Sequence, residues 1–209
     1  MEKDKILFVE GVNDREVIYR IENAYSLKGI CEIKKCDNVD LAKSAFELFI
    51  NENASKVQSV GIIIDADTSF IDRWKSVRNL LVATNNYSVP EVLPADGLIL
   101  DAITSGKPRV GVWIMPNNKD NGMLEDFLLQ QIPQEDDLLP FVDETMGELR
   151  SRKLQRFKDV HISKARAHTY LAWQEDPEST LAIALEKNYF APNSKEVGVF
   201  ANWMLNLFK

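Results

Sequence analysis

The sequence predicts an α/β protein built on a largely parallel sheet, and three observations carry that expectation. Short unbroken apolar runs recur, as they do in strands buried on both faces. Each run hands over to a stretch with apolar residues at helical spacing, the alternation that builds parallel sheets from βαβ units. Past Pro133 the strand signals thin out and amphipathic helical stretches take over.

Ile6-Leu7-Phe8-Val9 is the first run, and Glu10-Gly11 ends it. Asp14 to Tyr25 reads as a helix, with Val17, Ile18 and Ile21 at helical spacing. Gly29 to Lys35 reads as a second strand. Asn38 or Asp40 is placed to cap a helix through Ile50, with Leu41, Ala45, Leu48 and Phe49 on its apolar side. Val60 to Ile64 is the clearest strand; Asp65-Ala66-Asp67 and a helix over Phe70 to Ala83 follow it. A stretch containing Pro and Gly leads to a strand over Arg109 to Met115, which stops at Pro116. A further helix begins within Gly122 to Gln131. Residues 1–132 are thus expected to form the α/β core. Residues 133–209 are expected to form a helical C-terminal cap packed on it, one compact unit, with breaks at Pro140 and Pro177. The cap ends in Phe200, Trp203, Met204, Leu207 and Phe208.

Composition narrows the function classes. With 209 residues, 45% of them apolar and 27% charged, the chain can bury a full core without metal or disulfide staples. Its 25 Lys and Arg against 32 Asp and Glu leave a formal charge of −7, which argues against a protein that simply coats nucleic acid. It does not argue against an enzyme that holds a metal between itself and phosphates. Cys31 and Cys36 match neither a CxxC redox motif nor a zinc knuckle, so free thiols in a reducing cytoplasm are expected. Met-Glu-Lys-Asp-Lys and four apolar residues are too short for a signal peptide core. No apolar run approaches the ~20 residues of a membrane helix. The expectation is a cytoplasmic protein without membrane contact.

The acids fall in a pattern. Glu10 ends one predicted strand, and Asp14 lies a helical turn beyond it. Gly11 allows the backbone turn and close approach that a bulkier residue would hinder. Asp65 and Asp67 end another strand, and extended geometry through Ala66 would set both side chains on one face. Ligands of parallel sheets sit beyond the carboxyl ends of the strands, where these acids fall. Crowded carboxylates need a cation or raised pKa values to coexist, and Mg²⁺ (or Mn²⁺) suits a set of hard oxygens. A strand-end acid can equally be a helix N-cap or a solvated turn.

These residues carry a resemblance. Leu7-Phe8-Val9-Glu10-Gly11-Val12-Asn13-Asp14 resembles the first motif of Toprim domains, and Ile62-Ile63-Ile64-Asp65-Ala66-Asp67 resembles their Asp-x-Asp motif. Asp14, four residues after the glutamate, is similar to the OLD-family nuclease branch. So is Gly122-Met123-Leu124-Glu125-Asp126, which resembles the helix start that contributes second-metal ligands there. Ser163-Lys164-Ala165-Arg166-Ala167 resembles the late lysine segment of those nucleases. The whole chain looks like a small stand-alone bacterial Toprim-like group. Two departures stand out: Lys35-Cys36-Asp37-Asn38 replaces a glycine-rich turn, and Pro116-Asn117-Asn118 offers amides where a carboxylate could sit.

The resemblance implies a Toprim-like fold and one or two Mg²⁺ or Mn²⁺ ions. Glu10, Asp14, Asp65 and Asp67 would hold the first ion, and Glu125 with Asp126 the second. Glu10 and Lys164 would be the catalytic pair. It implies a nuclease acting on DNA or RNA, with a separate ATPase partner, since the chain has no GxxxxGK[ST] loop. A homodimer stays open. The other reading is a non-catalytic Toprim-like module that binds nucleic acid, nucleotide or a partner protein. A receiver- or dehalogenase-like phosphotransfer role for Asp65 fits less well, because its Asp-x-Asp follows a later strand.

Between Leu149 and His168, Arg150, Arg152, Lys153, Arg156, Lys158, Lys164 and Arg166 oppose a single acid, Asp159. This basic segment either tracks a phosphate backbone or is a solvated helix face. The run Glu135, Asp136, Asp137 reads as a solvated helix start. His161 and His168 fit no zinc pattern, although His168 is one turn from Lys164 and can reach the same cleft. Trp74, Trp113, Trp173 and Trp203 read as core, as do Phe200 and Phe208, unless the C-terminal apolar face is exposed for a partner.

Overall fold

In the computed structural model, which describes residues 4–209, the apolar runs become one five-stranded sheet. The charged start at residues 1–3 lies outside the described residues. Strands β1 (Lys5–Val9), β2 (Glu32–Lys35), β3 (Ser59–Asp65), β4 (Leu98–Leu100) and β5 (Arg109–Met115) lie in the order β2-β1-β3-β5-β4. Every pair is parallel except β4 with β5. Helices α1 (Val12–Ala24), α2 (Val39–Ile50), α3 (Phe70–Ala83) and α4 (Leu124–Leu129) follow the parallel strands. Then come α5 (Leu138–Ser151), α6 (Ile162–Ala172), α7 (Leu181–Glu186) and α8 (Lys195–Leu207). The architecture is the expected one: α/β, largely parallel, flanked by helices, with a helical C-terminal region. Among the described residues no helix is long and apolar enough to cross a membrane.

Strand alternation divides the core into two layers. Ile6 and Phe8 of β1, with Val60, Ile62 and Ile64 of β3, face α2 and α3. Leu7 and Val9, with Ile63, Trp113 and Met115, face α1 and the helices from α4 onward. That second layer is completed by α8. Gly61 and Gly111 are direct partners on β3 and β5 and open a shallow trough there. The side chain of Leu207 lies in that trough; a β-carbon at Gly111 would overlap it, and one at Gly61 would come within 2.9 Å. Trp203 Nε1 donates to Leu98 O at 3.0 Å, fixing α8 to the antiparallel edge.

Several expectations need correction. The stretch containing Pro and Gly holds β4, three residues whose signal is too short to register in a pattern of longer strands. The second strand starts at Glu32, because Leu27 to Ile30 is a hydrogen-bonded turn with Gly29 at φ 74°. The buried face of α2 is Ala42, Phe46 and Ile50, while Leu41 and Leu48 face outward. The spacing i, i+4, i+8 around Phe46, not the count of leucines, sets the face that meets the sheet. Pro140 does not break α5: it lies in the first turn, where its missing N–H has no helical acceptor to lose. Trp173 ends α6 in the open, 41% exposed, with its ring 5.5 Å from that of exposed Phe141. The C-terminal apolar face is covered, with Phe200, Met204, Leu207 and Phe208 fully buried. Asp136 is more than a solvated acid: it accepts from Leu138 N and from the Tyr170 hydroxyl.

Candidate functional site

Topology creates the site. From β1 the chain passes to β2 on one side, and from β3 it passes toward β5 on the other. The helices that follow them, α1 and α3, pack on opposite faces of the sheet. The carboxyl ends of β1 and β3 therefore diverge around a crevice, the usual ligand position of an open α/β sheet. The parallel register pairs Val9 with Ile63, which sets Glu10 beside Asp65.

Each acid is anchored through one oxygen. Glu10 Oε1 accepts from Asp65 N–H at 2.8 Å. Asp14, in the first turn of α1, reaches back to accept from Gly11 N–H at 3.0 Å. Gly11 itself is extended, at φ −129°, so the backbone turn anticipated there is not needed. Its value is close approach, since a β-carbon would lie 2.9 Å from Asp14 Oδ2. Asp65 Oδ1 accepts from Leu124 N–H at 3.0 Å, tying the end of β3 to the start of α4. That tie is reinforced by a two-way bridge between Asp67 and Gly122, at 2.8 and 2.9 Å. Gly122 sits at φ 134°, in a region that side chains resist, and a β-carbon would collide with Asp126.

The result is a cavity of about 290 Å³ lined by Glu10, Asp14, Asp65 and Glu125, with Lys164 of α6 at its wall. Four predicted carboxylates and the predicted lysine thus meet, from four separate parts of the chain. Asp14 Oδ1 is buried without a hydrogen-bond partner. Glu125 is 3% exposed. Burial chiefly raises the Glu10 pKa, to about 7; Asp14 and Asp67 add to the rise, while the Asp65 N–H and Arg73 oppose it. Asp65 is held well above the ordinary carboxylate range by burial first, then by Asp14, Glu10 and Glu125. Asp14 and Glu125 are also raised by burial, and Lys164 opposes both shifts. His168, one turn beyond Lys164, acts on Glu125 in the same direction. Among the described residues no three His, Cys, Asp or Glu side chains converge as a metal-ligand set. Glu10, Asp14 and Asp65 each give one oxygen to a backbone N–H.

Other predicted residues lie elsewhere. Asp67 adopts φ 52°, so the extended geometry stops before it. Its Oδ2 accepts from Arg73 at 2.6 Å instead of lining the cavity with Asp65. Asp126 accepts from Met123 N–H at 2.9 Å and faces a neighbouring cavity of about 430 Å³, which Arg150 and Arg166 also line. Both arginines are paired, Arg150 with Asp159 and Arg166 through two bonds with Asp143. Arg152 pairs with Glu148, and Lys153, Arg156 and Lys158 are exposed on the segment after α5. The amides after β5 tie the loop: Asn118 Oδ1 accepts from Ile114 N–H, and its Nδ2 donates to Ala95 O. Two residues escaped the sequence reading. Asp37, an acid at the end of β2, lines the cavity and pairs with Lys35; its strand-end position was the available signal. Arg73 had none, because only the turn at Asp67 brings it near.

Compared with known proteins, residues 4–209 match the family described as "Protein of unknown function (DUF3226)". No curated protein and no solved structure matches the chain.

Proposed function

The chain belongs to the DUF3226 family, and we propose, on the geometry of its site, that it is a Toprim-type nuclease, a divalent-metal-dependent hydrolase of DNA or RNA phosphodiesters. One observation carries the reading: Glu10, Asp14, Asp65 and Glu125 line one cavity with Lys164 at the crevice of a parallel sheet. The donor chemistry suits a hard cation, although the carboxylates do not converge on one point in this structure. Their oxygens suit Mg²⁺ or Mn²⁺, and the buried, unpartnered Asp14 Oδ1 is an acceptor in need of one. Glu10, Asp14 and Asp65 would hold one ion, and Glu125 would share a second. When bound, such ions polarise phosphoryl oxygens and make water nucleophilic near neutral pH. Lys164 would stand across the cavity to balance charge that grows on the phosphoryl group. Glu10 and Asp65 would be kept in place by their backbone bonds. The Arg150–Arg166 side of the molecule, next to this cavity, would receive the rest of the strand. A cytoplasmic location and a separate ATPase partner accompany this reading.

A second reading, a non-catalytic module that binds nucleotide or a partner, is favoured by the engagement of Asp67 with Arg73 and not with the cavity. Incubation of the purified protein with plasmid, single-stranded DNA and tRNA in Mg²⁺ or Mn²⁺ separates the two. Cleavage is expected from the wild type and lost in Glu10→Gln and Asp65→Ala. Lys164→Ala should slow it by about 10²- to 10³-fold, the scale of one preorganised donor, while leaving metal binding in place. Cleavage that survives Asp65→Ala unchanged overturns the nuclease. Metal binding without cleavage, with and without candidate ATPases, selects the module.

A further inference from the structure

Arg73 is a cation beside the carboxylates that the reading above leaves unused. It lies in α3, with its side chain only 16% exposed, and donates to Asp67 Oδ2 at 2.6 Å. Its Nε is buried with no hydrogen-bond partner. It also acts electrostatically on Glu10. A guanidinium has a planar fork of donors suited to two acceptor oxygens side by side. Here one arm of the fork is engaged by Asp67 and the adjacent N–H has no acceptor, an expensive arrangement for a buried donor.

Asp67 is held just as unusually. Its backbone is pinned to Gly122 by a two-way bridge and bent into the left-handed region. The pinned backbone puts it two residues beyond Asp65, and its charge raises the pKa of both Glu10 and Asp65. The carboxylate thus acts on the cavity's acids, yet it is bonded to Arg73, and neither residue is among those lining the cavity.

We propose that Arg73 is a latch on the site. It holds Asp67 in reserve through the Arg73–Asp67 bond, and Asp67 would exchange the guanidinium for a divalent ion if one were bound beside Asp65. The fork released in this exchange then binds an anionic oxygen of the substrate next to the metal. Arg73 is in this sense a positioning residue before metal entry and an anion contact after it. The inference rests on the metal reading of the cavity and adds an order of events to it: ligand exchange at Asp67 first, phosphate engagement by Arg73 second.

Mn²⁺ titration, followed by calorimetry and by the electron paramagnetic resonance signal of the free ion, tests the latch without any assay of activity. The variants are Arg73→Met, Asp67→Asn and the two combined, with Arg73→Lys as a milder change should Arg73→Met fold poorly; thermal melting checks that each is folded. With the latch, metal entry must break the Arg73–Asp67 bond. Arg73→Met should then bind Mn²⁺ about tenfold tighter, the scale of one half-buried charge-assisted pair. The gain should vanish when Asp67→Asn is already present. Equal affinity in wild type and Arg73→Met overturns the latch. So does a gain that persists in the Asp67→Asn background, since that reports only the loss of a nearby positive charge. Absence of Mn²⁺ binding in wild type and every variant overturns the metal reading itself, and the latch with it. For the second step, inorganic phosphate added to the Mn²⁺-loaded protein should bind more weakly in Arg73→Met than in wild type; equal phosphate affinity removes the anion contact.

Discussion

Glu10 ends β1 with its carboxylate drawn out of water, and its proton affinity follows. In the unfolded chain it titrates near 4.5; in the fold burial raises it to about 7. A raised carboxylate pKa means that the folded state takes up protons more readily than the unfolded one. The stabilisation is full below pH 4.5 and is lost as pH climbs through 7. Metal-free protein should therefore lose thermal stability between these values, and Glu10→Gln should flatten that part of the melting-temperature profile. A profile that is equally steep in Glu10→Gln would place the titration on another group. On the metal reading proposed above, added Mg²⁺ would restore stability chiefly at the upper end, where the carboxylates are ionised, and no effect of Mg²⁺ there would count against that reading. The strand-end acids were legible one by one, because an apolar run that stops on an acid marks the carboxyl edge of the sheet. Glu125 and Lys164 were legible only through resemblance. The engagement of Asp67 was not legible: it depends on a positive φ at that residue, which turns its side chain to Arg73.

The trough made by Gly61 and Gly111 shows what a single missing side chain decides for an element. Both residues sit where alternation would place an apolar side chain facing α8, and both leave that space to Leu207. Gly111→Ala should therefore destabilise the protein by about 1–3 kcal/mol through overpacking, against the small gain that Ala usually brings to a strand. Urea unfolding measures this, and a neutral or stabilising result would mean that α8 can shift outward without penalty. Strand and helix positions were readable to within a few residues wherever the apolar period ran for four residues or more. β4 fell below that length, and the face of α2 was misjudged because Leu41 and Leu48 are apolar residues that the fold leaves in solvent. Periodicity identifies an element more securely than it orients one, since the partner surface chooses the face.

Across the whole molecule, one apolar layer joins the sheet to the C-terminal helices. Leu7, Ile63 and Trp113 share it with Tyr170, Leu185, Phe200 and Leu207. Such a layer has no seam along which the two regions could separate. Unfolding in urea should thus be a single transition, with coincident midpoints for far-ultraviolet circular dichroism and tryptophan fluorescence. Trp113 and Trp203 report on this layer, and Trp74 on the opposite one. Non-coincident midpoints would reveal a cap that melts by itself. The site inherits the same arrangement: its acids come from strand ends and α4, while its lysine comes from α6. A cap that loosened would remove the only lysine lining the described cavity.

The Leu207 contact also has a consequence for synthesis on the ribosome. Every strand of the sheet has been translated by Met115, yet the trough on β3 and β5 receives its occupant only after α8 emerges. Through that interval a nascent chain carries this face with α1 available to it but with the glycine trough still unfilled, at a time when domains ordinarily begin to fold.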